Sequence, residues 1–123
     1  NYGWPVQSYG RYRNPRYRPP ALEGPFVEPA YTWAETVAPT GLTFYTGEEF
    51  PEWRGDLFVA GLSGGSLWRL QVRGEEVIAG ERLFADAPLR LRKVRQGPDG
   101  RLYLLTDNAE GRLLRLAPSP KAR

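Results

Sequence analysis

The chain has 123 residues, 41% hydrophobic and 25% charged, which suits one small soluble globular domain. It holds no cysteine and no histidine, which excludes thiol catalysis, disulfides and thiolate metal sites and removes the side chain most used for proton transfer near neutral pH. The net charge of +3 is local: Arg11, Arg13, Arg16 and Arg18 crowd the first 20 residues, which carry no acid, whereas the remainder is slightly acidic.

With no methionine, Asn1 is not a translation start, so a processed product or a piece of a longer chain is expected. No apolar run approaches the roughly 20 residues that cross a membrane, and no signal peptide is visible. Residues 1–30, rich in Pro, Gly, Tyr and Arg without a period, predict an extended loop. After a short mixed stretch at 31–36, alternation predicts a strand over 42–45, and a polar loop follows through Pro51 and Trp53 to Gly55. Strands are then predicted at 57–61, 67–72 and 76–84, joined by turns at Ser63–Ser66 and Arg73–Gly74. Strands at 89–96, 102–106 and 111–117 complete the series, the first two joined at Pro98-Asp99-Gly100.

An internal repeat organises these strands. "GDLFVAGLSGGSLWRL" (Gly55–Leu70) and "GRLYLLTDNAEGRLLRL" (Gly100–Leu116) share Gly-x-Leu-aromatic, an apolar run, a Gly-containing turn and Leu-x-Arg-Leu, and their starts lie 45 residues apart. Such a period, with several short strands per unit, marks β-propeller blades. The expected class is all-β: about two blades of four-stranded antiparallel sheet, divided as a loop at 1–30, blades at 31–84 and 85–118, and a tail at 119–123. Two blades do not close a ring of about 4–8, so the chain reads as part of a larger toroid. A small open sheet or sandwich of about seven strands is the alternative.

Within "PLRLRKVRQGPDG", Arg90 and Arg92 alternate with Leu89 and Leu91, so a strand would send both guanidiniums to one side, about 6–7 Å apart. At the mouth of a propeller channel, that pair suits an anion with several carboxylates, each bound by a fork. The competing interpretation is a surface ion pair with an acid such as Asp86, or stems lying over a sheet edge.

Other clusters are weaker. The interleaved Arg and Tyr of "YGRYRNPRYRPP" can bind single-stranded nucleic acid, but the slightly acidic remainder argues against it. Glu48, Glu49 and Glu52 in "GEEFPEW" could serve as a glycosidase pair, although adjacent loop glutamates are usually solvated. Glu23 and Glu28 could join a structural calcium. "SGGS" lacks the lysine and helix of a phosphate loop and predicts a hairpin turn instead.

Three stretches together, "NYGWP" (Asn1–Pro5), "TVAPTGLTFYTGEEFPEWRGDLFVAGL" (Thr36–Leu62) and "LRLRKVRQGPDGRLYLLTD" (Leu89–Asp107), resemble the soluble quinoprotein aldose sugar dehydrogenases of the glucose/sorbosone dehydrogenase family. The chain looks like the C-terminal third of that family's six-bladed propeller. The resemblance implies oxidation of aldoses at C1 to lactones with pyrroloquinoline quinone (PQQ) as hydride acceptor, aided by Ca2+, in the periplasm or outside the cell. It implies cofactor contacts at Arg90, Arg92 and Thr36 and a sugar mouth near Trp33 and Tyr31. The partner it implies is an aldose, with the electron acceptor unassigned, no nucleic acid and no membrane span. The alternative is a non-enzymatic propeller module binding carbohydrate or protein. Ser63 stands where related sequences often carry a cofactor lysine, and Lys93 where an aspartate is common. The family's catalytic histidine and calcium ligands precede "NYGWP", so no catalytic residue is expected within this chain and its metal ligands remain unassigned.

Overall fold

A computed structural model describes residues 1–4, 7–9, 13–18, 24–64 and 66–120, with only the backbone of Ser66. The chain divides into two compact units, Asn1–Thr36 and Val37–Arg123. The first contains no strand among its described residues. It is held by single bonds: the Val27 N–H donates to the Asn1 carbonyl at 2.8 Å, and Gln7 Nε2 and the Tyr9 hydroxyl both donate to the Glu28 carboxylate at 2.6 Å. Glu23, the other residue considered for a structural calcium, and Gly10–Tyr12 with Pro19–Pro20 of the Arg/Tyr stretch, lie outside the described residues.

The second unit holds the seven strands found among the described residues. β1 (Pro39–Phe44), β2 (Leu57–Gly61), β3 (Ser66–Arg73) and β4 (Glu76–Leu83) form one antiparallel meander. β5 (Leu91–Gln96), β6 (Leu102–Thr106) and β7 (Leu113–Arg115) form a second. These are two blades of a partial β-propeller. The second differs from the expected four-stranded blade: it has three strands among the described residues, and β7 is limited to Leu113–Arg115. Its predecessor, the turn from Asp107 to Arg112, takes up residues that a longer strand would use. β1 starts at Pro39 rather than residue 42, because the Leu57–Gly61 strand gives it partners back to that point.

Register explains the core. Phe58, Ala60 and Leu67 on one face of the first sheet are at most 1% exposed. They join Val94, Leu102 and Leu104 of the second sheet in one cluster, with Tyr45 and Phe50 at one end. Each fully buried aliphatic or aromatic side chain contributes about 1.5–3 kcal/mol. The loop after β1 caps this cluster. Trp53, in a 3-10 turn at Pro51–Trp53, stacks on Phe50 at 4.3 Å, and the Tyr45 hydroxyl accepts the Phe50 N–H at 3.0 Å. Arg69 lies 5.8 Å over the Trp53 ring and binds the buried Asp56 at 2.6 Å and Glu81 at 2.9 Å. Burial opposes the charge on Arg69, but the bonds from those two carboxylates outweigh it and hold the guanidinium protonated.

The first strands of the two sheets share an irregularity. β1 pairs Pro39 with Gly61 and Gly41 with Ala60, leaving Thr40 extra; β5 pairs Leu91 with Thr106 and Lys93 with Leu105, leaving Arg92 extra. Each is a β-bulge opposite the last residue of the following strand, a device that re-aims a side chain. Thr40 Oγ lies 3.0 Å from the Leu91 carbonyl and 3.2 Å from that of Ala60, so its hydroxyl ties one sheet to the other at this end.

Candidate cofactor-binding site

Strand β5 begins at Leu91, one residue after Arg90, so Arg90 and Arg92 are not two positions of one regular strand. They nevertheless converge. The Asp107 N–H donates to the Arg90 carbonyl at 2.8 Å, which extends the β5–β6 ladder by one link and brings Asp107 beside Arg90. The bulge turns Arg92 towards the same carboxylate. Arg90 Nε reaches Asp107 Oδ2 at 2.8 Å, and Arg92 Nε and Nη2 reach Oδ1 at 3.1 and 2.8 Å. The ion-pair partner is therefore Asp107; Asp86, the candidate from sequence, lies exposed in the link between the sheets.

The arrangement has a net charge of +1 and faces water: the arginine side chains are 58% and 53% exposed and that of Asp107 27%. Exposed pairs add little stability. What the carboxylate does supply is order. It holds two mutually repelling cations together and fixes their planes. Among the described residues, Arg90 spends Nε and Arg92 spends Nε and Nη2 on Asp107, so both Nη groups of Arg90 and Nη1 of Arg92 remain available to an anion. Charge-assisted bonds from Arg92 first and Arg90 second hold the Asp107 carboxyl below its ordinary pKa.

A depressed carboxylate pKa means that the paired state persists above the ordinary Asp range and is lost only as pH falls through the lowered value. In a carboxyl-carbon NMR titration, Asp107 is expected to titrate below a free aspartate. Arg92→Ala should raise that midpoint more than Arg90→Ala does. A midpoint at the free-aspartate value in the unmutated protein would rule out the shared pairing.

The remaining predicted residues lie in the first unit. Tyr31 and Trp33 are half-buried and meet edge to face, centroids 4.9 Å apart at 83°. Thr36 is exposed and closes that unit. Immediately after it the backbone is held in an uncommon state: Ala38 has φ +50, in the left-handed region, while the Leu62 and Ser63 N–H groups both donate at 3.1 Å, to the Ala38 and Val37 carbonyls respectively. Ser63 thus occupies a turn bonded to the Val37–Ala38 backbone. The glutamate cluster is not an acid–base pair: Glu49 binds Arg101 at 2.9 Å, while Glu48 and Glu52 are exposed.

Asp107 was not among the residues singled out from sequence. The signal lies in the repeat: the position matching Leu62 in the first copy holds an acid in the second. A departure from a repeat at the end of an apolar strand marks a side chain kept for something other than packing.

Comparison with known proteins adds four findings. The family model described as Glucose / Sorbosone dehydrogenase matches residues 1–115. The chain is 36% identical over 123 residues to the aldose sugar dehydrogenase YliI of Escherichia coli (strain K12), covering 96% of this chain and 33% of that protein. Among solved structures, a crystal structure of glucose dehydrogenase is 41% identical with a TM-score of 0.84, over 97% of this chain and 35% of that one. The PQQ-bound form of aldose sugar dehydrogenase from Streptomyces coelicolor is 25% identical with a TM-score of 0.64, over 95% of this chain and 33% of that one. The chain thus spans about a third of the length of the proteins it matches.

Proposed function

Because this chain belongs to the glucose/sorbosone dehydrogenase family, we propose that it is the C-terminal third of a quinoprotein that oxidises aldose sugars at C1 to lactones with PQQ as acceptor. The carrying observation is the Arg90–Asp107–Arg92 cluster at the bulged start of β5. Its donor set fits a polycarboxylate quinone: unspent N–H groups on two guanidiniums, a net positive charge, and a carboxylate that fixes their geometry in advance.

Bound PQQ supplies the electrophilic quinone that takes up hydride from the sugar. The residues of this chain bind and orient. Arg90 and Arg92 would hold the acidic groups of the cofactor, and Asp107 keeps their forks in place. On the family resemblance, Thr36 is proposed as a hydroxyl contact to the cofactor, and Tyr31 and Trp33 as contacts to the sugar. Proton removal is assigned to a histidine elsewhere in the complete protein, since this chain has none. Calcium ligands are likewise assigned to the part of the complete protein that precedes "NYGWP", as the family resemblance implies. No helix among the described residues is long and apolar enough to cross a membrane, and a periplasmic or secreted location is part of the proposal.

The test is titration of the full-length protein with PQQ and Ca2+, followed by dye reduction with a panel of aldoses. PQQ-dependent reduction with aldoses but not with alditols is the expected result. A protein that neither binds PQQ nor oxidises any aldose would refute the assignment and leave a binding module.

A further inference from the structure

The bulge in β5 does more than turn Arg92. Successive side chains of an unbroken strand leave on opposite faces. In β5, Leu91 and Val94 are buried, and both residues between them, Arg92 and Lys93, are exposed. The register gives the reason. Leu91 pairs with Thr106 and Lys93 with Leu105, so Arg92 and Lys93 together oppose one position of β6. Both therefore leave on the side away from the core, where simple alternation would have parted them.

Lys93 also lies on a sheet edge. β5 is the end strand of its sheet and β1 the end strand of the other. A Cβ built on Gly41 of β1 would lie 3.7 Å from Lys93 Cγ and 3.8 Å from its Cα, so the lysine stem follows the seam between these two strands. Among the described residues Lys93 makes no ion pair and no hydrogen bond. Asp107, the acid at this end of the sheet, already accepts Arg90 on Oδ2 and Arg92 on Oδ1. Three cations, Arg90, Arg92 and Lys93, against one carboxylate leave a charge of +2. Their mutual repulsion is relieved by a bound anion.

Resting on the reading that this site holds PQQ, we propose that Lys93 is a third cation of the site and binds an acidic group of the cofactor directly. Its part differs from that of the arginines. Asp107 fixes the planes of the two guanidiniums, which orient what they hold. An ammonium on a flexible stem is a point charge with rotatable donors, and it adds attraction without imposing a plane. Lys93 therefore contributes to affinity through its charge, and an arginine at the same place serves nearly as well.

The test is PQQ titration of the full-length protein beside a thermal melt. Lys93→Ala should bind PQQ about tenfold more weakly, the loss of one charge-assisted contact, and Lys93→Asp more weakly still. Lys93→Arg should stay within about threefold of the unmutated protein. The melts should coincide, since the side chain is exposed and bonded to nothing among the described residues. A second readout needs no substitution: acetylation of the Lys93 amine by an N-hydroxysuccinimide ester, followed by peptide mass spectrometry, should slow about tenfold when PQQ saturates the protein. An affinity that Lys93→Ala leaves unchanged, or labelling that PQQ leaves unchanged, overturns the inference. If the arginine variants lose PQQ while Lys93→Ala keeps it, only this inference falls and the cofactor reading stands. If the unmutated protein binds no PQQ, both fall together.

Discussion

Arg92→Ala in the full-length protein lowers PQQ affinity by about tenfold to a hundredfold, the expected loss of charge-assisted hydrogen bonds to an anion. Arg90→Ala has a similar effect, and thermal unfolding is nearly unchanged in both. The reasoning rests on where the cost falls. Both guanidiniums are more than half exposed in a pair with Asp107, so their deletion leaves no buried charge behind. A ligand with several carboxylates draws its affinity from those same N–H groups. Arg92→Lys retains the charge but not the fork and recovers only part of the loss. The measurement is fluorescence or absorbance titration with PQQ beside a thermal melt. Unaltered affinity in both alanine variants would remove these residues from the cofactor site, whereas a collapse of the melt would assign them to the fold.

The second large effect is expected at the other end of the same strands. A Cβ on Gly47 would lie 2.1 Å from the Gly100 carbonyl oxygen and 2.7 and 2.8 Å from the Tyr45 ring and hydroxyl. The first obstacle is backbone and the second a fully buried side chain, so neither yields cheaply. Gly47→Ala should cost about 1–3 kcal/mol, the usual penalty of overpacking a tight contact. The readout is the denaturant midpoint. PQQ affinity should be unaffected, because this loop bonds to the Gln96 end of β5, through Thr46, and not to the Arg92 end. An unchanged midpoint would show that the loop and the Pro98–Gly100 turn are not in firm contact. Gly100→Ala is a useful contrast: its added Cβ meets nothing closer than 3.7 Å, so strain at φ +79 is the main cost.

These two sites show how far reading the chain reaches. Leu57–Gly61 and Leu102–Thr106 were predicted with their observed bounds, because apolar runs flanked by Gly-containing turns behave alike in both copies. At 89–96 the reading was less complete. It paired Arg90 and Arg92 by simple alternation, whereas the structure starts the strand at Leu91 and places an extra residue at Arg92. The two side chains still meet, through a bulge and a shared carboxylate. A bulge is a property of two strands in register, and a one-residue misfit between them has no mark in either segment alone.

Sequence by itself determined the all-β class, the 45-residue repeat, the turns and the family to which the chain belongs, because alternation, glycine and proline placement and short motifs are local properties. Only the tertiary structure decided that Asp107 joins the two arginines and that Asp56 neutralises Arg69. Those pairings depend on which strands lie side by side and in what register, and that is settled by packing between residues far apart in the chain.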